Sequence, residues 1–294
     1  MRQHGSGADI LAEISCVQFE IGEKRMKIGF IGLGNMATAM IGGMLGTGAF
    51  QAEDIIGSAK TQATAERVSE KYGISTSTDN KNTAFLSDVL ILAVKPVFLP
   101  EVIAEIKDFV GDRHLVISIA AGKSIDWIEQ EFGKELRVVR CMPNTPAMVG
   151  EGCTCICLKE KGADTAVSAG DKETALKIMN SFGKAYILPE RLMDGFIGVA
   201  GSSPAYVFLF IEAMADAAVH AGIPRKQAYA FAAQSVLGSA KMVLETGMHP
   251  GELKDMVCSP AGTTIEAVKV LEEKGFRAAV MDSIEACVNK SKNL

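Results

Sequence analysis

The chain has 294 residues, 48% of them hydrophobic and 22% charged, and its 30 basic against 35 acidic side chains leave a formal charge of −5. This is the composition of a globular protein with a substantial core, not of a disordered or low-complexity segment. A net negative surface opposes nucleic-acid phosphate, so no nucleic-acid partner is expected.

Residues 1–25 carry no strong strand or helix pattern and read as an N-terminal extension without a catalytic part. It is either a short peripheral structure or the remnant of an upstream start. From Lys27 to about Pro189, short apolar runs alternate with helical stretches. Strands are expected at 27–32, 54–57, 88–94, 114–119, 137–141, 153–158 and 185–188, and helices at 35–45, 61–72, 99–107, 125–132 and 172–182. Because the strands are β-branched and apolar throughout, they fit a buried parallel sheet, and the alternation predicts a doubly wound, Rossmann-type α/β domain over 26–189. After Glu190 the strand patterns stop. Residues 190–294 read as an all-helical domain punctuated at Gly222-Ile223-Pro224, at Gly247 to Pro250 and at Ser259 to Gly262. Within it, 204–221 is apolar on nearly every side, which points to a subunit interface. Glu212 and Asp216 interrupt that stretch, so it is expected to be a buried helix, and no membrane span is expected.

Seven cysteines without a Cys-x-x-Cys pair, and no secretory leader pattern, predict free thiols in the reducing cytoplasm. Cys153, Cys155 and Cys157 alternate along one strand face and read as packing, while His4, His114, His220 and His249 are scattered, so no metal site is expected. Trp127 reads as a packing residue and His249 as a turn residue beside a helix start.

The segment Gly32-Leu33-Gly34-Asn35-Met36-Ala37 joins the first strand to the first helix as a Gly-x-Gly-x-x-Ala turn. Gly32 allows the tight turn, Gly34 lets backbone approach a pyrophosphate, and Ala37 permits close helix–strand packing. An Asp or Glu that would hold the ribose 2′-hydroxyl is missing from the end of the second strand, where Ser58 and Lys60 offer a hydroxyl and a cation suited to a 2′-phosphate. NADPH is therefore the expected coenzyme, with NADH the alternative; Lys60 is otherwise an ordinary exposed lysine. Ala93-Val94-Lys95-Pro96 and Ile119-Ala120-Ala121 end later strands at the same crevice. Asn144, in Met142-Pro143-Asn144-Thr145-Pro146, either holds the nicotinamide ring or caps its turn.

In the helical half, Ser259-Pro260-Ala261-Gly262-Thr263-Thr264 is a turn opening into a helix. Free amides at such a start form a carboxylate pocket, and Ser259 and Thr264 add hydroxyls. The plainer reading is N-capping by Ser or Thr.

Five motifs in order resemble the pyrroline-5-carboxylate reductase family: Phe30 to Met36, Ala93 to Pro96, Met142 to Pro146, Gly201-Ser202-Ser203-Pro204-Ala205-Tyr206, and Pro250 to Thr264 continuing through Ala267-Val268 to Leu271-Glu272. The resemblance runs from Lys27 to about Lys290. It implies a Rossmann domain followed by a helical dimerisation domain, dimers built into larger homo-oligomers, and reduction of 1-pyrroline-5-carboxylate to L-proline by NAD(P)H. It would place the coenzyme against Gly32, Leu33, Gly34, Asn35, Met36, Ser58, Asn80, Ala93, Val94, Lys95, Pro96, Ile119, Ala120 and Ala121. Asn80 would lie near the adenosine or simply cap a helix. Substrate carboxylate would meet Ser259, Ala261, Gly262, Thr263 and Thr264, with Thr264 beside the ring nitrogen as the catalytic residue and Glu190 nearby. Met256 stands where some members carry Asn. A 3-hydroxyacid dehydrogenase would need a Lys or His base, which 204–218 lacks. A non-catalytic NADP-binding sensor would need no carboxylate pocket.

Overall fold

The computed structural model describes residues 25–159 and 167–293. All but Arg25 of the expected extension lies outside the described residues. Eight strands form one sheet: β1 (Ile28–Ile31), β2 (Ile55–Ser58), β3 (Ser75–Ser77), β4 (Val89–Leu92), β5 (Leu115–Ser118), β6 (Arg137–Met142), β7 (Gly152–Leu158) and β8 (Gly183–Ile187), in the order β3-β2-β1-β4-β5-β6-β7-β8. The first six run parallel, with Ile31 beside Leu92 and Leu92 beside Ser118, so β1, β4 and β5 end at one height.

Helices cover both faces. On one, α1 (Asn35–Gly46), α2 (Gln62–Tyr72) and α6 (Ala169–Asn180) bury Met40, Ile41, Met44, Val68, Ile178 and Met179 with Phe30 and Ile117 of the sheet. On the other, α3 (Asn80–Leu86), α4 (Leu99–Ile106) and α5 (Ile125–Phe132) bury Ala84, Leu99, Ile103, Ile106, Ile128 and Phe132 against Ile31, Leu90 and Val116. Both faces of β1, β4 and β5 are dry, which explains their unbroken apolar runs.

Two features differ from the sequence expectation. Neither β3 nor α3 was foreseen, because a polar three-residue strand and a seven-residue helix carry too little pattern. In addition, β7 runs antiparallel to β6, not parallel. Only residues 143–151 separate them, occupied by a 3₁₀ turn at Thr145–Val149, and a link this short cannot make the crossover that a parallel partner requires.

Beyond β8, a turn at Glu190–Leu192 leads into α7 (Met193–Phe196), a π turn at Ile197–Gly201, α8 (Ser203–His220), α9 (Arg225–Thr246), α10 (Pro250–Val257), α11 (Thr263–Glu273) and α12 (Phe276–Ser291). The start of this half docks on the sheet: Met193 and Ile197 pack with Cys155 and Cys157 of β7. Both thiols are fully buried, as their alternation predicts, and burial also pushes the Cys141 thiol up. Further out the chain buries little of itself. Helix α8, expected to be buried, hides only Ala215, while Phe208, Leu209, Phe231 and Leu244 are each at least 60% exposed. An apolar cavity of about 620 Å³ lies open between α8 and α12, lined by Tyr206, Leu209, Phe210, Phe276 and Val280. By length and composition the helical run Glu190–His220 could also cross a membrane, with a mean hydropathy of 1.5 in its most apolar window.

Candidate active site

The crevice begins where β1 ends. Gly32 has φ +96°, and a side chain there would meet the Ala93 carbonyl at 2.8 Å, so only glycine lets the ends of β1 and β4 approach this closely. Gly34 caps α1 without a side-chain bond, and no acidic residue occupies the first turn. Nothing lies within 4 Å of where its Cβ would stand. The amides opening α1 are therefore uncapped and approachable, and the helix dipole adds to their pull on an anion. This donor set, backbone N–H with no opposing carboxylate, fits a pyrophosphate.

At the end of β2, Ser58 is fully buried and its hydroxyl donates to Asn80 Oδ1 at 2.7 Å, while Asn80 Nδ2 donates to Glu105 at 2.7 Å. Ser58 thus stands behind Asn80, and Asp79, not Asn80, caps α3. Lys60 is exposed at the surface, its ammonium 5.2 Å from the centre of the Phe98 ring. Ala93 and Ile119 continue the ladder past the strand ends, bonding to Ile31 and Leu92 carbonyls at 2.9 and 3.2 Å. The expected coenzyme segments 32–36, 93–96 and 119–121 therefore lie together along one edge of the sheet.

Two expected site residues, Asn144 and Glu190, are bonded within the protein, and His249 stands beside a helix start as expected. Asn144 is buried and spans two segments: its Nδ2 donates to the Ala200 carbonyl at 2.9 Å and its Oδ1 accepts from the Cys153 amide at 2.8 Å. Its side chain caps no turn. The Glu190 carboxylate pairs with Arg140 at 2.9 Å and accepts from the Ile125 amide at 3.0 Å. Arg140 was missed by the sequence reading, although a guanidinium set between Val139 and Cys141 in the apolar part of β6 was the available signal. His249, read as a turn residue, caps α10 by accepting the Gly251 amide at 3.0 Å.

The Ser259–Thr264 turn sits between α10 and α11, neither of which buries a residue. Gly262 caps α11 and no side chain does, so the Ser or Thr capping weighed from the sequence is not what this turn uses. The Gly262 amide closes back on the Ser259 carbonyl at 3.0 Å. Ala261 has φ +53°, a left-handed conformation costly for any residue with a Cβ. The result is a second uncapped helix start, flanked by the hydroxyls of Ser259, Thr263 and Thr264.

A Gly-x-Gly turn at the head of a doubly wound sheet, with an anion-ready helix start beside it, is the architecture of a dinucleotide-dependent oxidoreductase. Comparison with known proteins agrees. Residues 27–122 match the family described as NADP oxidoreductase coenzyme F420-dependent, and residues 190–294 match pyrroline-5-carboxylate reductase dimerisation. The chain is 47% identical over 268 residues to the pyrroline-5-carboxylate reductase of Escherichia coli K12, covering 91% of this chain and 98% of that protein. Its structure resembles the corresponding reductase of Coxiella burnetii (TM-score 0.84, 36% identity, 92% and 98% covered). It also resembles that of Plasmodium falciparum with NADP bound (TM-score 0.81, 32% identity, 92% and 99% covered). The chain belongs to the pyrroline-5-carboxylate reductase family.

Proposed function

We propose that this protein reduces 1-pyrroline-5-carboxylate to L-proline, the last step of proline biosynthesis, with NADPH preferred over NADH. The observation that carries the reading is the pair of uncapped helix starts, one at Gly34–Asn35 suited to pyrophosphate and one at Gly262–Thr263 suited to a small ring carboxylate. Residues 32–36, 93–96 and 119–121 hold the coenzyme, Asn80 meets its adenosine end with Ser58 behind, and Lys60 faces the 2′-phosphate. When bound, the reduced nicotinamide supplies hydride.

The remaining chemistry asks little of the protein. A cyclic imine is electrophilic once its nitrogen is protonated, so no strong base and no metal are required. The amides of Thr263 and Thr264 and the hydroxyls of Ser259 and Thr263 receive the ring carboxylate. Thr264 Oγ1 hydrogen-bonds the ring nitrogen, orienting it and passing a proton through water; a threonine hydroxyl is too weak an acid to do more. Because the turn projects from a half that buries little of itself, a second copy supplies the missing cover and brings the turn of one subunit to the crevice of its partner. Dimers of this kind assemble further in the cytoplasm, and the apolar run Glu190–His220 faces protein, not lipid.

Loss of NADPH absorbance on adding 1-pyrroline-5-carboxylate tests the reaction directly. Thr264→Ala should lower kcat/KM for the imine by roughly 10- to 100-fold, the scale of one lost transition-state hydrogen bond, with NADPH binding unchanged. A chain that binds NADPH yet never oxidises it with this substrate is the sensor, and unchanged efficiency in the variant removes Thr264 from its role.

A further inference from the structure

Two polar groups of the sheet half converge on one carboxylate oxygen at the root of the helical half. Glu190 lies in the first turn after the sheet, and its Oε1 accepts both the Arg140 guanidinium at 2.9 Å and the Ile125 amide at 3.0 Å. Arg140 is only 8% exposed and stands in register with Ser118, the last residue of β5. Ile125 is the first residue of α5. The turn 119–124 leaves β5 beside Arg140 and is pinned at its far end by Glu190, and its first residues lie on the coenzyme edge.

We infer that Glu190, held by Arg140, is a positioning residue for the dinucleotide: it fixes the β5–α5 turn that closes the crevice and ties that turn to the root of the helical half. The inference rests on the coenzyme reading of the crevice given above. Its physical basis is the division of labour at the start of α5. Ser124 takes the Trp127 amide at 3.1 Å, leaving the Ile125 amide to an acceptor from another part of the chain. A carboxylate there also favours the positive end of the helix dipole. Arg140, withdrawn from water, needs an anion beside it and so holds Glu190 in place. The Asn144 amide, bridging Cys153 and Ala200, braces the same boundary a few residues along the chain. With Oε1 spent twice inside the protein, Glu190 acts on the coenzyme side through the backbone at the start of α5.

The test uses the full-length chain, with NADP⁺ affinity measured by calorimetry and by quenching of Trp127, the single tryptophan, which lies in the first turn of α5. Glu190→Ala should raise the NADP⁺ Kd about tenfold, the scale of a lost charge-assisted hydrogen bond. Glu190→Asp, too short to reach Arg140 and Ile125 together, should raise it by roughly threefold or more, and Glu190→Gln, which keeps an acceptor for the Ile125 amide but leaves Arg140 without its anion, should fall between Ala and the unaltered chain. If Glu190→Ala fails to fold, the Asp and Gln variants decide. Folded variants that melt earlier yet bind NADP⁺ as the unaltered chain does would make the pair purely structural and overturn the inference. A rise confined to the substrate KM would overturn it too, returning Glu190 to the ring acid. An unaltered chain that binds no dinucleotide refutes the coenzyme reading instead, a result distinct from either.

Discussion

In β1, β4 and β5 every residue is buried, whereas α8 buries one of its 18 residues and α10 and α11 bury none. The two halves differ not in apolar content but in where its partners come from. The sheet half closes two hydrophobic layers with its own helices, so its crevice edge is complete in one chain. The helical half carries Phe208, Leu209, Phe231 and Leu244 outward, and the proposed dimer would cover them. Coenzyme binding should therefore survive in a lone subunit, and turnover should not.

The sharpest way to break this contrast is Leu209→Glu, at the mouth of the apolar cavity. We expect gel filtration to show monomers and activity to fall about a hundredfold, with NADP⁺ Kd within about threefold of the unaltered chain. Equal losses of both would show that the crevice also depends on assembly. Next comes Lys60→Glu, which should raise the NADPH KM about tenfold and leave NADH nearly unaffected, since only the former carries the 2′-phosphate. A parallel change for both would place Lys60 outside the site.

A smaller effect concerns the sheet half alone. His114 is buried, its Nε2 3.1 Å from the Ala84 carbonyl while Nδ1 accepts the Gly111 amide at 3.0 Å. Burial first, then the neighbouring Arg113 charge, push its pKa below the usual 6.5. The unfolded chain therefore takes up a proton at this site before the folded one does. The contribution is full above about pH 6.5 and is lost as pH falls from there toward the lowered folded value. Melting temperatures between pH 7 and pH 5 should fall less steeply in His114→Gln, and an unchanged slope would assign the acid sensitivity elsewhere. Smallest is Ala261→Gly: relief of the left-handed strain, offset by glycine's greater freedom when unfolded, should stabilise by roughly 0.5 kcal/mol. A looser turn should then raise the substrate KM about twofold, a loss of orientation that costs little binding.

Much of this was legible in the residues. Seven of the eight strands fall where apolar runs place them, and the signal is plainest in β1, β4 and β5, which are dry on both faces. The crevice followed from Gly32 and Gly34, whose backbone roles no other residue fills equally well. What escaped is pairwise. That Ser58 faces Asn80 and not open space, that Arg140 and Glu190 meet across 50 positions, and that Asn144 spends its amide on Ala200 and Cys153 are properties of the closed fold. The reversal of β7 lies between these cases, since the short link 143–151 could have announced it. The buried reading of α8 failed because apolar periodicity reports that a face will be covered, not by whom.

That reversal also divides labour among the strands. β1, β4 and β5 present the crevice edge, while β6 and β7 carry Arg140, Cys155 and Cys157 against Met193, Ile197 and Glu190. Mounting and mouth are thus built on separate portions of one platform. Helices exchanged on the first by recombination would have to carry Glu190 with them, since through the Ile125 amide it reaches the second, and a graft that kept this anchor would leave the crevice as it stands.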